Sequence, residues 1–404
     1  MAHGQTTPKR HSTTRITVAV LLLAFAAVPA LCDAVATAAA AKPPSGGPVP
    51  SGEILREPPS EKTSLFGFSL WSGNQFPDED HDIRLMRLNL FYGRNNSLTG
   101  LDMGLGINAL EREFFGVQIA GVGNNVRDGT INVSGTGVQI AGLLNVTGRR
   151  MYGLQIAGLG NIAGGHFSGA QVGLCNGAVD GVFTGVQVGC ANFTIECEVA
   201  GMQIGGKNFV MGSPMAGVQI GLSNFVLPEV PRKQTRGRGE KRGYASRAER
   251  PFQDGAGNAD GLQIAGFVNV AGEANGVQIA GLANGTDAAT GAQVAGLFNV
   301  AFKRMCGLQI AGLANGTEAA TGAQVAGLGN YTRHEFSGVQ IGAVNWAESF
   351  SGMQLGIVNL AKSGRGTQIG VYNSATDFKG VQIGLCNVNL ESSVPVFPIV
   401  NFRF

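Results

Sequence analysis

The sequence predicts an all-β repeat fold, a β-solenoid built from coils of 14–16 residues behind an N-terminal β cap. Three observations carry that expectation. First, the pattern Gly-x-Gln-(Ile/Val/Leu)-(Ala)-Gly-x-x-Asn returns at a short period from Gly116 to Asn387. Its glutamines are Gln118, Gln139, Gln155, Gln171, Gln187, Gln203, Gln219, Gln263, Gln278, Gln293, Gln309, Gln324, Gln340, Gln354, Gln368 and Gln382. Their separations are 21, five of 16, then 44, 15, 15, 16, 15, 16 and three of 14. Second, glycine recurs several times per unit, and each would cost about 1 kcal/mol inside a helix. Third, many units carry one extra Ala before the second Gly. In mid-strand that residue would send every later side chain to the opposite face, whereas a corner absorbs it. A corner is also expected near the Asn, which tolerates φ > 0 better than most residues.

The alternative is a transmembrane antiparallel β-barrel with one strand of ~10 residues per unit. Val400-Asn-Phe402-Arg-Phe404 alternates apolar residues and ends on Phe, like the closing strand of a bacterial outer-membrane barrel. Gly276–Asn299 and Gly307–Asn330 are nearly identical 24-residue blocks, as a copied hairpin would be, although a copied pair of coils explains them equally. The likeness of every unit and the optional Ala favour the solenoid.

In the type unit Gly276–Asn284, strand alternation predicts Val277 and Ile279 facing inward and Gln278 outward in a ladder. Ala280-Gly281 is the expected corner and Asn284 the next turn. Phe167, Phe183, Phe336, Phe350 and Phe378 precede the motif and should stack as a column.

Taken in order, residues 1–30 read as a signal peptide. Lys9, Arg10 and Arg15 precede the apolar stretch Ile16–Val28, and Val28-Pro29-Ala30 supplies small residues for cleavage. The stretch is shorter than the ~20 residues of a spanning helix. Residues 31–62 form a flexible leader rich in Ala, Pro, Ser and Gly. Residues 63–99 carry strand signals and form the expected cap over the end of the stack. Within them Asp78-Glu-Asp-His-Asp82 offers carboxylates of the kind Ca²⁺ takes, but not at EF-hand spacing. A solvated acidic turn is the simpler reading.

Residues 100–227 form the first repeat array, opening on the degenerate unit Gly100–Asn108, where Asp102 stands sixteen residues before Gln118. Residues 228–259 interrupt it with a disordered basic insertion, eight Lys/Arg against three Glu between Glu229 and Arg250. Such a segment suits envelope polyanions or anionic lipid, lipopolysaccharide included. Residues 260–404 form the second array with a closing strand.

Little in the chain points to chemistry. A net charge of +2 with 14% charged residues argues against a nucleic-acid binder. The six cysteines, Cys32, Cys175, Cys190, Cys197, Cys306 and Cys386, include no CxxC pair of the zinc type. Cys175 and Cys190 lie in neighbouring repeats and suit a disulfide in an oxidising compartment. Alternatively they are small apolar fillers, since Cys386 occupies the same slot as Cys175. His81, His166 and His334 are far apart, without the spacing of a nucleophilic triad. Gly104-Leu-Gly106-Ile-Asn-Ala109 matches a loose dinucleotide fingerprint without its βαβ context. The expectation is a non-enzyme with no catalytic, metal or cofactor site.

The Gly-(Val/Leu)-Gln-Ile-(Ala)-Gly-Leu-x-Asn units resemble those of leptospiral-type bacterial surface-repeat proteins. So do Arg87-Leu-Asn-Leu-Phe-Tyr-Gly93 with Gly100-Leu-Asp-Met-Gly-Leu-Gly106, and the ending Phe397-Pro-Ile-Val-Asn-Phe402. The resemblance spans roughly residues 65 to 404, apart from the basic insertion. It implies an exported protein of the cell surface or outer membrane, with a structural, adhesive or binding role. It brings no activity and no functional residues. The second expectation, tied to the barrel, is an outer-membrane pore.

Overall fold

The structure is a computed structural model, and it describes residues 62–403 except 72, 127–133, 149 and 229–256. The expected signal peptide, nearly all of the leader and most of the basic insertion lie outside the described residues. Among the described residues the chain is almost entirely strand, with no helix. It winds into a β-solenoid of about 18 turns.

Parallel pairing in strict register defines the coil. Gly276 pairs with Gly291, Gln278 with Gln293 and Asn284 with Asn299, each one coil further on. The same three columns then continue through Gly307, Gln309 and Asn315. A transmembrane barrel needs antiparallel neighbours, so this pairing rules it out. Two antiparallel pairs occur among the described strands, and both sit at ends of the stack. Asn74–Phe76 pairs with Thr63–Trp71 at the beginning, and Val396–Arg403 pairs back on Tyr372–Asn389 at the close. The coils also begin earlier than the repeat motif does. Thr63–Trp71, Asp82–Asn89 and Ser97–Gly104 already pair in parallel, and Arg87 and Asp102 occupy the column that the glutamines continue.

Each coil turns sharply just after the Gln strand. In the type unit one strand ends at Ala280 and the next begins at Ala283, so Gly281-Leu282 makes the corner. A Cβ on Gly281 would stand 2.0 Å from the Gly266 carbonyl oxygen below it, so no larger residue fits. The extra Ala is absorbed at this corner. Where Gln219–Asn224 lies against the longer Gln263–Asn269, Gly221 pairs with Ala265, Ser223 pairs with Val268, and register then resumes. A second slack point lies beyond the Asn, where Ala301 and Arg304 oppose Thr317 and Ala319. Coils of 14, 15 and 16 residues therefore share one core. Asn284 itself is extended and in register within its strand, not a turn residue, and the non-Gly residues with φ > 0 are Asp180, Glu196 and Ile399.

The facing of the type unit is opposite to the expectation. Gln278 is 2% exposed, whereas Val277 and Ile279 are 37% and 40% exposed. Alternation fixes which residues share a face, but not which face is the inner one. The sign follows from what stacks at strand spacing. Identical amides about 4.8 Å apart satisfy one another without water, so the long polar side chain fits the narrow interior. The remaining core is mostly small or flat, with Met151, Met215 and Met305 in later coils and Ile83, Leu98 and Leu110 in the first ones. Ala274, Ala289, Ala301 and Ala320 fill it in the later coils, and the phenylalanines fill it elsewhere. The aromatic column exists as expected: Phe167 stacks on Phe183 with ring centroids 5.4 Å apart, and Phe336, Phe350 and Phe378 form a second stack. Gly364 occupies the column between Phe350 and Phe378, and both rings lean into the gap it leaves.

Candidate functional site

The most regular feature of the molecule is a pair of amide ladders inside it. From Gln139 to Gln382 each glutamine Nε2 donates to the Oε1 of the glutamine one coil earlier, at 2.8 Å for Gln293 onto Gln278. The asparagines form the second ladder and point the other way. Asn284 Nδ2 donates to Asn299 Oδ1 of the following coil at 2.9 Å, and also to the Val294 carbonyl. That second bond ties the corner of one coil to the next. Chains of aligned amides polarise one another, and two columns of opposite sense offset each other's dipoles.

The ends of the glutamine column are specified. Its first donor, Gln118 Nε2, meets the buried Asp102 carboxylate at 3.1 Å. Asp102 is held by Arg87 through Nε at 2.9 Å and Nη2 at 2.5 Å, and Asn89 Nδ2 donates to it at 2.8 Å. Arg87 and Asp102 are 1% and 0% exposed. An anion thus stands where the column presents N–H groups, and its cation completes the pair. At the far end Gln382 Oε1 and Asn401 Nδ2 are buried without partners, and these two residues lie opposite one another in the final antiparallel pair.

The motif glycine two residues before each Gln also has a backbone duty. Gly276 has φ +132°, and a Cβ there would stand 2.2 Å from the Gly261 carbonyl oxygen. The stack therefore demands glycine on two counts at that column. Sequence reading registered the period without this reason for it.

Outside, the coil has two chemically distinct arcs. The charged arc runs from beyond Asn to the next motif Gly. There neighbouring coils exchange ion pairs: Lys303 with Asp287 at 3.0 Å, Lys362 with Glu348 at 2.6 Å, and His334 with both Glu318 and Glu348. The Lys362 ammonium, then His334, holds the Glu348 carboxyl below its usual range. The apolar arc runs from Gln to Asn. Across all sixteen such arcs the sequence carries one charge, Lys207.

The remaining candidates can be placed individually. Asp80 of the acidic turn pairs with Lys62 at 2.6 Å and with His81 at 2.9 Å. Among the described residues no group of three His, Cys, Asp or Glu is placed to hold a metal ion. No disulfide joins the described cysteines: Cys190 and Cys306 are exposed, while Cys197 is buried. Burial pushes the Cys197 thiol up to about 12. No described helix is long and apolar enough to cross a membrane. Comparison with models of known families, with curated proteins and with solved structures gives no match. Chemically the arrangement offers an interior of amides paired along the stack and tied to backbone carbonyls, and an exterior of long, periodic faces.

Proposed function

We propose that this is a non-enzymatic, exported surface protein whose solenoid has a structural, adhesive or binding role. The observation that supports this reading best is the exterior, where one coil's surface chemistry repeats along the stack. Such a surface suits many weak, equivalent contacts with an extended or repetitive partner. The signal-like segment before residue 30 and the resemblance to bacterial surface repeats support export to the cell surface or outer membrane. The basic insertion is the proposed contact for envelope polyanions or anionic lipid headgroups.

The test is expression of the full chain in a Gram-negative host, followed by N-terminal sequencing and protease treatment of intact cells. Export predicts a mature N-terminus near residue 31 and a solenoid that external protease reaches. An uncut protein retained in the cytoplasm would overturn the proposal.

A further inference from the structure

The apolar arc has no counterpart in the interior to explain it. In each coil two outward columns flank a glycine floor: the residue after Gln on one side and the corner residue on the other. Ile279, Ile310 and Ile383 are 40%, 38% and 39% exposed in the first column, and Leu282, Leu328 and Leu385 are 42%, 61% and 74% exposed in the second. Between them runs a groove. Toward the C-terminal end it is a shallow, open depression over Gly356, Gly370 and Gly384, and a second such depression continues it over Gly342 and Gly327. Soluble monomers rarely leave a contiguous apolar patch larger than a few hundred Å² uncovered.

Neither long insertion starts or ends within this face. Around the first, the described chain stops at Val126, past Asn124, and resumes at Ser134 before Gly137; around the second it stops at Pro228, past Asn224, and resumes at Gly257 before Gln263. Both pairs of described ends lie on the charged arc. Across the long interruption Gln219 still pairs directly with Gln263, and Asn224 with Asn269. The backbone of the strip is therefore continuous over sixteen coils, and its corner column drops to Gly206 and Ala343 in two of them.

We infer that this strip is the interface with a second copy of the chain, the corner ridge of each copy lying in the glycine groove of the other. Ridge and groove run side by side on one face with one common period, so a two-fold axis brings each onto its counterpart. Only a partner with the coil's own spacing stays in step over that length. At about 4.8 Å per coil the strip is about 75 Å long, and four residues at about 3.3 Å make it about 13 Å wide. That is roughly 1,000 Å² per copy, against about 800 Å² for a standard stable interface. The contact is isologous and closes, so it gives a dimer and not a filament. The antiparallel strands at both ends, Asn74–Phe76 and Val396–Arg403, cover part of each edge through which coils would otherwise stack end to end.

The test is the solution mass of the full chain, by light scattering and sedimentation, for three proteins. The uncleaved wild type should run near twice 41.7 kDa, and a processed chain at twice its own smaller mass. The triple variant Leu282→Lys, Leu297→Lys, Leu328→Lys should weaken the dimer at least about 100-fold, since charges buried at the centre of an interface are costly. Its β-type circular dichroism should stay unchanged, because all three side chains point outward. Phe302→Lys, 67% exposed on the charged arc, should remain dimeric. A monomeric wild type, aggregates of no fixed mass, or a triple variant that stays dimeric would overturn the inference. So would a monomer that floats with neutral phosphatidylcholine vesicles, which would assign the strip to lipid.

Discussion

At the scale of single residues, the fold rests on side chains chosen for what they do when stacked on themselves. A buried glutamine is ordinarily a cost, because each amide needs donors and acceptors that an apolar core lacks. Here the residue one coil away supplies them, so the cost disappears only if the column is unbroken. Glycine 276 and its equivalents are required by a positive φ and by the carbonyl beneath them. The cysteines divide along the same inside–outside line. Cys197 sits in the core, where burial pushes its thiol up to about 12, so little of the reactive thiolate forms there at pH 8. Thiol-labelling at pH 8 should therefore modify Cys190 and Cys306 promptly and leave Cys197 untouched until the protein is denatured. Prompt native-state labelling of Cys197 would mean that its coil is open.

At the scale of elements, the corner and the first coils carry the specificity. The corner tolerates length because register is recovered on both sides of it, as Gly221 and Ser223 show against Ala265 and Val268. Inserting one Ala between Ile341 and Gly342 recreates the six-residue Gln–Asn spacing of the coil before it and should cost below about 1 kcal/mol. The same Ala between Val339 and Gln340 turns the later side chains over and should cost about 3 kcal/mol or more. Denaturant melts of the two insertions distinguish these outcomes, and equal losses would remove the corner from the account.

The Arg87–Asp102 pair is the other specified element. Arg87→Leu strands a buried carboxylate and should destabilise by about 3–5 kcal/mol. Adding Asp102→Gln should recover much of that loss, because it extends the amide column by one rung. A double variant no better than the single one would show that the column does not need a matched end.

At the scale of the whole molecule, the architecture was legible in the sequence and its polarity was not. The period of the glutamines, the optional Ala and the recurring Gly specify a stacked coil with a corner after the Gln strand, and Phe167, Phe183, Phe336, Phe350 and Phe378 announce their column. Inside and outside were exchanged for Gln278 and Ile279 because hydropathy is a poor guide where identical residues stack. A glutamine that would be buried at a loss in an ordinary sheet satisfies itself in a ladder, and an isoleucine left outside is explained only by a covered face. The first coils were partly hidden as well. Arg87 and Asp102 occupy the glutamine column but share no motif with it, so that column's end became visible only through their pairing. Surface ion pairs such as Lys303–Asp287 decorate the charged arc and, screened by solvent, contribute little to stability.

The solenoid is inside-out relative to hydropathy, with amides in and aliphatics out. Denaturant unfolding of Gln278→Leu and Ile279→Gln, compared side by side, tests it most directly. Gln278→Leu leaves Gln263 Oε1 without its donor and Gln293 Nε2 with only the longer bond to Thr286 Oγ1, and should cost about 2–4 kcal/mol. Ile279→Gln alters an outward side chain and should cost no more than about 0.5 kcal/mol. The reverse order, with the isoleucine variant the more damaged, would contradict the account.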